Sequence, residues 1–338
     1  MPRSVLSLDV RRGLRLGFTI AFALAPMCAW AGWSLETGAR LSYTDNAFGF
    51  SGARGNSTDE DPSQPAGVET RNVRDTVWEP TLEVKGKWAD QRLPTELSVK
   101  GHGFLYTDTP ILNHGNYRIQ VRQWVDARTS VLLRYRHAPH LLLGTNTERR
   151  SGARAVLDEK VTSHQWRVEL ERELNRDWAA ALIGRYGLRF YNDAFAERDT
   201  RFLTIGSRAV YSASPRLTWT LSYLYERGLA DGRGDRRFND DVSYRQHFVS
   251  AGPEIRLADA ATLSLLYAYR LKEFTSELVG DTHLDRFDHT HQGTAELSYA
   301  LNRASAVTLG YQRTQRASTN QNREFHADLY SIGVRYTF

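Results

Sequence analysis

The sequence predicts an all-β chain: a transmembrane antiparallel up-and-down β-barrel of about 14 strands. Three observations lead there. Segment after segment alternates apolar and polar residues with a period of two, the signature of a strand apolar on one face. Short turns alternate with long polar connections along the chain. After residue 32 no apolar run approaches the roughly 18 to 20 residues of a membrane helix. With 25% charged residues and a mean hydropathy of -0.51, the 338-residue chain looks soluble, yet spanning strands average out polar because only one face meets lipid.

The N-terminus reads as an address. Arg3, Arg11, Arg12 and Arg15 precede an apolar run from Leu16 to Met27, and Ala29-Trp30-Ala31 gives a small-x-small cleavage site. The expected organisation is a cleaved Sec signal peptide over 1–31 and a barrel over 32–338. Cys28, the single cysteine, falls in the signal, so the mature chain is expected to lack disulfides and thiolate metal sites. The formal charge of +5 also belongs mostly to the signal. Removing its four Arg and one Asp leaves 40 basic and 38 acidic groups, a net of +2, which gives no reason to expect nucleic-acid binding.

The first strand is expected over Trp33 to Tyr43, with Trp33, Leu35, Ala39, Leu41 and Tyr43 on one face and Glu36, Gly38 and Arg40 on the other. A long polar stretch, Thr44 to Arg74, separates it from a strand carrying Trp78, Leu82, Val84 and Trp88 opposite Glu79, Glu83, Lys85 and Lys87. Short turns then centre on Asp90, Asp126-Ala127-Arg128, Asn175-Arg176-Asp177, Ser214-Pro215, Ala258-Asp259 and Asn302-Arg303. Six hairpins with the first and last strands make 14. The middle strands alternate cleanly, as in Trp178, Ala180, Leu182, Gly184, Tyr186 against Ala179, Ala181, Ile183, Arg185. In the tenth strand Val249, Ala251, Pro253 and Ile255 point outward and place Phe248 on the polar side. Aromatics collect at both strand ends: Trp33, Trp88, Trp178, Tyr211, Tyr299 and Phe338 beside the short turns, and Tyr43, Tyr135, Trp166, Phe190, Tyr225, Tyr269 and Tyr311 opposite. A soluble propeller, whose repeats also run to roughly 40 residues, would need four short strands per repeat; here each repeat holds two long ones.

The last strand, Phe325 to Phe338, carries Tyr330, Ile332, Val334, Tyr336 and Phe338 on one face. Ser331, Gly333, Tyr336 and Phe338 resemble the C-terminal signal of bacterial outer-membrane β-barrels. That resemblance implies a closing strand read by the barrel assembly machinery after delivery by periplasmic chaperones, localisation in the cell outer membrane among its lipids and lipopolysaccharide, short periplasmic turns and long extracellular loops. Tyr43-Thr44-Asp45-Asn46 and the later Asp75-Thr76-Val77-Trp78-Glu79-Pro80 resemble the opening of the putative β-barrel porin-2 group and of barrels found with exopolysaccharide operons. It implies either a diffusion channel or an accessory of polysaccharide export.

Inward-facing positions include Arg40, Glu83, Lys85, Lys87, Lys100, Arg118, Arg122, Arg134, Arg136, Arg167, Glu169, Arg185, Arg189, Arg208, Glu254, Arg256, Arg270, Glu296 and Arg335. Cations outnumber carboxylates. Such a wall favours anionic solutes in an open pore, or pairs internally and merely solvates the lumen. A 14-stranded interior is either water-filled or occupied by a loop or plug. The third outer loop is expected over Ala138 to Ser163; Leu141, Leu142 and Leu143 near its start either fold inward as a constriction or extend the fifth strand.

His283, Asp285, Asp288, His289 and His291 are the candidate metal group, though no cofactor is expected. Asp59-Glu60-Asp61 and Asp240-Asp241 are acidic but lack calcium-loop spacing. No spacing marks an enzyme: His247 with Ser250, or His137 with a carboxylate, are the pairs a barrel hydrolase would draw on. The expected function is a porin-like channel for small hydrophilic, anionic solutes. The alternatives are an exopolysaccharide conduit and an adhesive or structural barrel with a blocked lumen.

Overall fold

In the computed structural model the described residues are 32–49, 73–88, 93–320 and 323–338. The expected signal over 1–31 with Cys28, the acidic run Asp59-Glu60-Asp61 and the turn centred on Asp90 lie outside them. Fourteen strands form: β1 (Trp33–Thr44), β2 (Asp75–Trp88), β3 (Thr95–Tyr106), β4 (His114–Trp124), β5 (Thr129–Thr147), β6 (Val156–Glu173) and β7 (Trp178–Tyr191). They are followed by β8 (Thr200–Ser214), β9 (Leu217–Ala230), β10 (Tyr244–Ala258), β11 (Ala261–Phe274), β12 (Phe287–Ala300), β13 (Ser305–Ser318) and β14 (Phe325–Thr337). Each pairs antiparallel with its sequence neighbours. β14 closes the barrel on β1, from Glu36 opposite Thr337 to Thr44 opposite Leu329. Closure leaves no sheet edge, the condition a β structure must meet to sit in lipid.

The alternation settles which face is out. Leu182, Ile205, Leu221, Leu309 and Val334 are each more than half exposed, whereas Arg134, Arg167, Arg185 and Glu169 on the other face are buried. An apolar exterior and a polar interior invert the soluble arrangement, as a membrane barrel requires. Both aromatic belts are present: Trp33 meets Trp88 edge-on at 5.5 Å and Trp178 stacks on Tyr211 at 4.6 Å near the short turns. Tyr135 packs on Trp166 at 5.4 Å and Tyr311 on Tyr330 at 5.1 Å toward the long loops.

Phe248 does face inward and is buried, with Ile183, Leu224 and Ala268, in an apolar island on an otherwise polar wall. The island closes because Gly206 stands opposite both Ile183 and Leu224, where a Cβ would lie 2.6 Å from a Leu224 methyl. A second row alternates glycine with aromatics: Gly187 opposite Phe202, Phe202 opposite Gly228, Gly228 opposite Tyr244. The rings lie where the glycine side chains would be, 2.0 Å and 2.3 Å from an ideal Cβ at Gly187 and Gly228.

The expected third outer loop, Ala138 to Ser163, is instead mostly strand. β5 runs 19 residues and β6 runs 18, joined only by residues 148–155. The alternation is lost at Pro139, which has no N–H to give the ladder. Register shifts follow between Ala138 and Leu141 and again between Leu142 and Gly144, with His140 (φ 51°) and Gly144 (φ 125°) in the left-handed region. These bulges break the period in sequence while the pairing continues past them.

Candidate functional site

The site is the inner wall, and it is built from cross-strand rows. A strand places every second side chain in the lumen, and antiparallel register sets each beside its partner on the next strand. On β4 to β7 this brings arginines together. Arg118 stands opposite Arg136, and Arg134, Arg167 and Arg185 form one row across three strands. Arg134 donates from Nε to Gln120 at 2.9 Å; Arg167 pairs with Glu169, which also holds Arg208. Arg208 reaches Glu171 at 2.8 Å, as does Arg122 at 3.2 Å.

Toward the long loops the cations lie against rings. The Arg189 guanidinium is 4.1 Å from the Phe202 centroid and donates to the Tyr244 hydroxyl at 2.7 Å; that hydroxyl in turn donates to Glu226 at 2.6 Å. The Lys272 ammonium sits 4.0 Å from the Tyr244 ring, and Arg270 donates to Thr290 at 3.3 Å. The glycine-aromatic row therefore carries a layer of stacked cations.

β1 to β3 differ. Arg118 of β4 reaches back to Glu83 at 3.1 Å, which also accepts from Ser98 at 2.5 Å. Lys85 lies 3.4 Å from Glu36 and 3.6 Å from Glu83, and Lys87 lies 2.9 Å from Glu96. Arg40 pairs with Glu296 of β12 at 2.7 Å. Lys100 stands opposite both Glu83 and Arg118. Arg256 and Arg335 take inward positions near the short-turn end and are exposed. Exposure thus falls from that end to the buried Arg134, Arg136, Arg185, Arg189 and Arg270.

Leu141, Leu142 and Leu143 belong to β5, the second of the two placements weighed for them. All three are buried. Leu142 joins Phe48, Phe104, Tyr106 and Leu112 in a cluster at the long-loop end, while Leu141 and Leu143 pack with Val161 and Tyr191. Ser331 and Gly333 face inward on β14 opposite Gly310 and Thr308, and Tyr336 and Phe338 pack edge-on at 4.7 Å on the outer face.

The five-residue metal group does not assemble. Asp288 pairs with Arg286, at 2.9 Å and 2.6 Å, while His289 and His291 lie on the outer face and meet the Tyr269 and Tyr267 hydroxyls at 2.8 Å. Only His283 turns into a buried cluster, with Asp240 and Asp281. His247 and Ser250 point to opposite faces: His247 meets the Tyr223 hydroxyl at 2.9 Å outside, and Ser250 is buried inside. His137 stacks on His164 at 4.6 Å. Sequence reasoning missed this outer tyrosine-histidine belt, completed by Tyr135 and His164 at 2.8 Å. Its signal was there: each histidine shares the parity of the outward apolar residues on its own strand.

Among the described residues no helix is long and apolar enough to cross a membrane. Residues 239–338 match a family model described as "Putative beta-barrel porin 2", which covers β10 to β14. The likeness to this group, read from the first hairpin in sequence, is carried in this match by the last five strands. No curated protein matches the chain by sequence. Among solved structures, the outer membrane channel DcaP of Acinetobacter baumannii aligns at 9% identity over 91% of this chain and 98% of its own, with a TM-score of 0.51. A loop L8 deletion mutant of OmpT, an outer membrane protein of Vibrio cholerae, aligns at 8% identity over 90% and 98%, with a TM-score of 0.49. An anion-selective porin from Comamonas acidovorans aligns at 9% over 90% and 98%, with 0.47. At such identities the likeness is one of fold: this is a barrel of the outer-membrane type.

Proposed function

We propose that the barrel is an outer-membrane channel for small hydrophilic anions such as carboxylates, phosphates or acidic sugars. The observation that carries the reading is the arginine row Arg134, Arg167 and Arg185, flanked by Arg118 and Arg136. Like charges placed directly opposite one another are unfavourable in a sheet, and a solute anion would add to the relief that Glu169 already gives Arg167. A planar guanidinium fork also matches carboxylate and phosphate oxygens two at a time. A solute entering from the loop side meets Arg189, Arg270 and Lys272 first, then the arginine row, then the more exposed Arg256 and Arg335. Leu141 to Leu143 act in this reading by stiffening the rim rather than by narrowing the lumen as an infolded loop.

The remaining partners follow from the same reading. Lipid and lipopolysaccharide cover the outward apolar belt, and the assembly machinery reads β14 through Ser331, Gly333, Tyr336 and Phe338 after the leader has been removed on export. No catalytic role is assigned to any residue.

The test is single-channel conductance of the refolded barrel in planar bilayers, with reversal potentials measured across a salt gradient. Open steps with anion selectivity that falls in Arg134→Ala, Arg136→Ala and Arg189→Ala variants are the expected outcome. A correctly folded barrel that stays silent, or conducts without preference for anions, would overturn it and favour an exopolysaccharide conduit or a blocked, adhesive barrel.

A further inference from the structure

We propose that Asp240, Asp281 and His283 form a divalent-cation site, best suited to zinc, that ties the loop between β9 and β10 to the loop between β11 and β12. The inference is independent of what passes through the lumen. One ligand atom from each of Asp240, Asp281 and His283 lies within 4.8 Å of the other two, and all three residues are buried. His283 Nδ1 is 3.0 Å from Asp281 Oδ1 and 3.5 Å from Asp240 Oδ1. Zinc bonds to nitrogen and oxygen of about 2.0–2.1 Å set the edge of a tetrahedron at about 3.3 Å, between those two separations. The two edges that meet at His283 Nδ1 thus already approach those of a zinc coordination shell.

Hydrogen bonding alone leaves this arrangement incomplete. Nδ1 carries at most one proton and can satisfy one carboxylate, and its hydrogen-bonded partner is Asp281. Asp240 Oδ1 is then buried with no hydrogen-bond partner. A buried carboxylate oxygen in that state is costly, whereas a cation would engage both carboxylates and the imidazole together.

The surroundings hold each ligand by its other atoms. Asp240 Oδ2 accepts from Arg198 Nε at 2.7 Å, and Asp281 Oδ2 accepts from Ser276 Oγ at 2.6 Å and the Asp241 N–H at 2.8 Å. The Oδ1 atoms are thereby turned toward His283, whose ring packs on Phe274 at 4.9 Å. Such outer contacts are how proteins fix metal ligands. Arg198 is shared between Asp240 and Glu159, which it reaches at 2.7 Å, so its one positive charge is divided between two carboxylates.

An imidazole with two carboxylates suits zinc better than calcium or magnesium, which favour all-oxygen shells.

Zinc titrated into the refolded barrel by calorimetry tests the site. One zinc per barrel is expected, with affinity falling more than about tenfold in Asp240→Asn and in His283→Gln, and unchanged in the double variant His289→Ala/His291→Ala. No binding at about 1 mM zinc, or loss only in the His289/His291 variant, would overturn the proposal. Should the single variants not fold, cobalt loaded into the native barrel decides the matter. Intense visible absorption that zinc displaces supports a four-coordinate site, and its absence refutes it.

Discussion

Two walls of the same barrel use arginine differently. On β1 to β3 the inward cations Arg40, Lys85 and Lys87 each reach a carboxylate, respectively Glu296, Glu36 with Glu83, and Glu96. On β4 to β7, Arg118 faces Arg136, and Arg134, Arg167 and Arg185 face one another in register. Both walls share the same pleat and the same alternation, so the fold does not dictate the difference. A wall that only had to be solvated could have been neutral throughout, as the first one nearly is. The second carries more arginines than its carboxylates Glu169 and Glu171 offset, in a confined space where low-dielectric surroundings strengthen the remaining field.

The comparison breaks most clearly under charge reversal. Arg167→Glu with Arg185→Glu is expected to abolish or invert anion preference, while Lys85→Glu with Lys87→Glu shifts reversal potentials far less; equal shifts from the two pairs would erase the distinction. A smaller effect is expected at the row that supports the stacked cations. Gly228→Val forces the Tyr244 ring from its place, and overpacking of this kind costs about 1–3 kcal/mol, read as a lower unfolding midpoint in denaturant. The same substitution at Gly293, where a Cβ would meet nothing within 4 Å, should be nearly silent. The smallest effect belongs to the paired wall. A double-mutant cycle on Arg40 and Glu296, both partly exposed, should return only about 0.2–1 kcal/mol.

Much of this architecture was legible in sequence because a period of two is short and local. Trp178 to Phe190, for instance, declares both its strand and its faces within a few residues. The outer end of β5 was illegible because Pro139 and two bulges break that period while the backbone goes on pairing with β6. The lumen residues could be assigned to a face, but not to rows: that Arg134 meets Arg167 and Arg185 depends on register across three strands, which no single strand encodes. The cation cluster is harder still. Asp240 and His283 lie on different loops, and proximity in sequence pointed His283 toward His289 and His291, which the pleat turns to the outside.

The pairing of β1 with β14 has a kinetic consequence. Every other neighbouring pair is a hairpin that local chain can form, whereas this one joins segments about 300 residues apart, for which loop closure alone costs about 5 kcal/mol in an unstructured chain. Until it forms, β1 and β14 each present unpaired backbone groups that hydrocarbon cannot satisfy. Entry into the bilayer and the last step of folding therefore converge on a single event at this seam. A substitution that weakens it should slow the appearance of folded barrel more than it loosens the barrel once made.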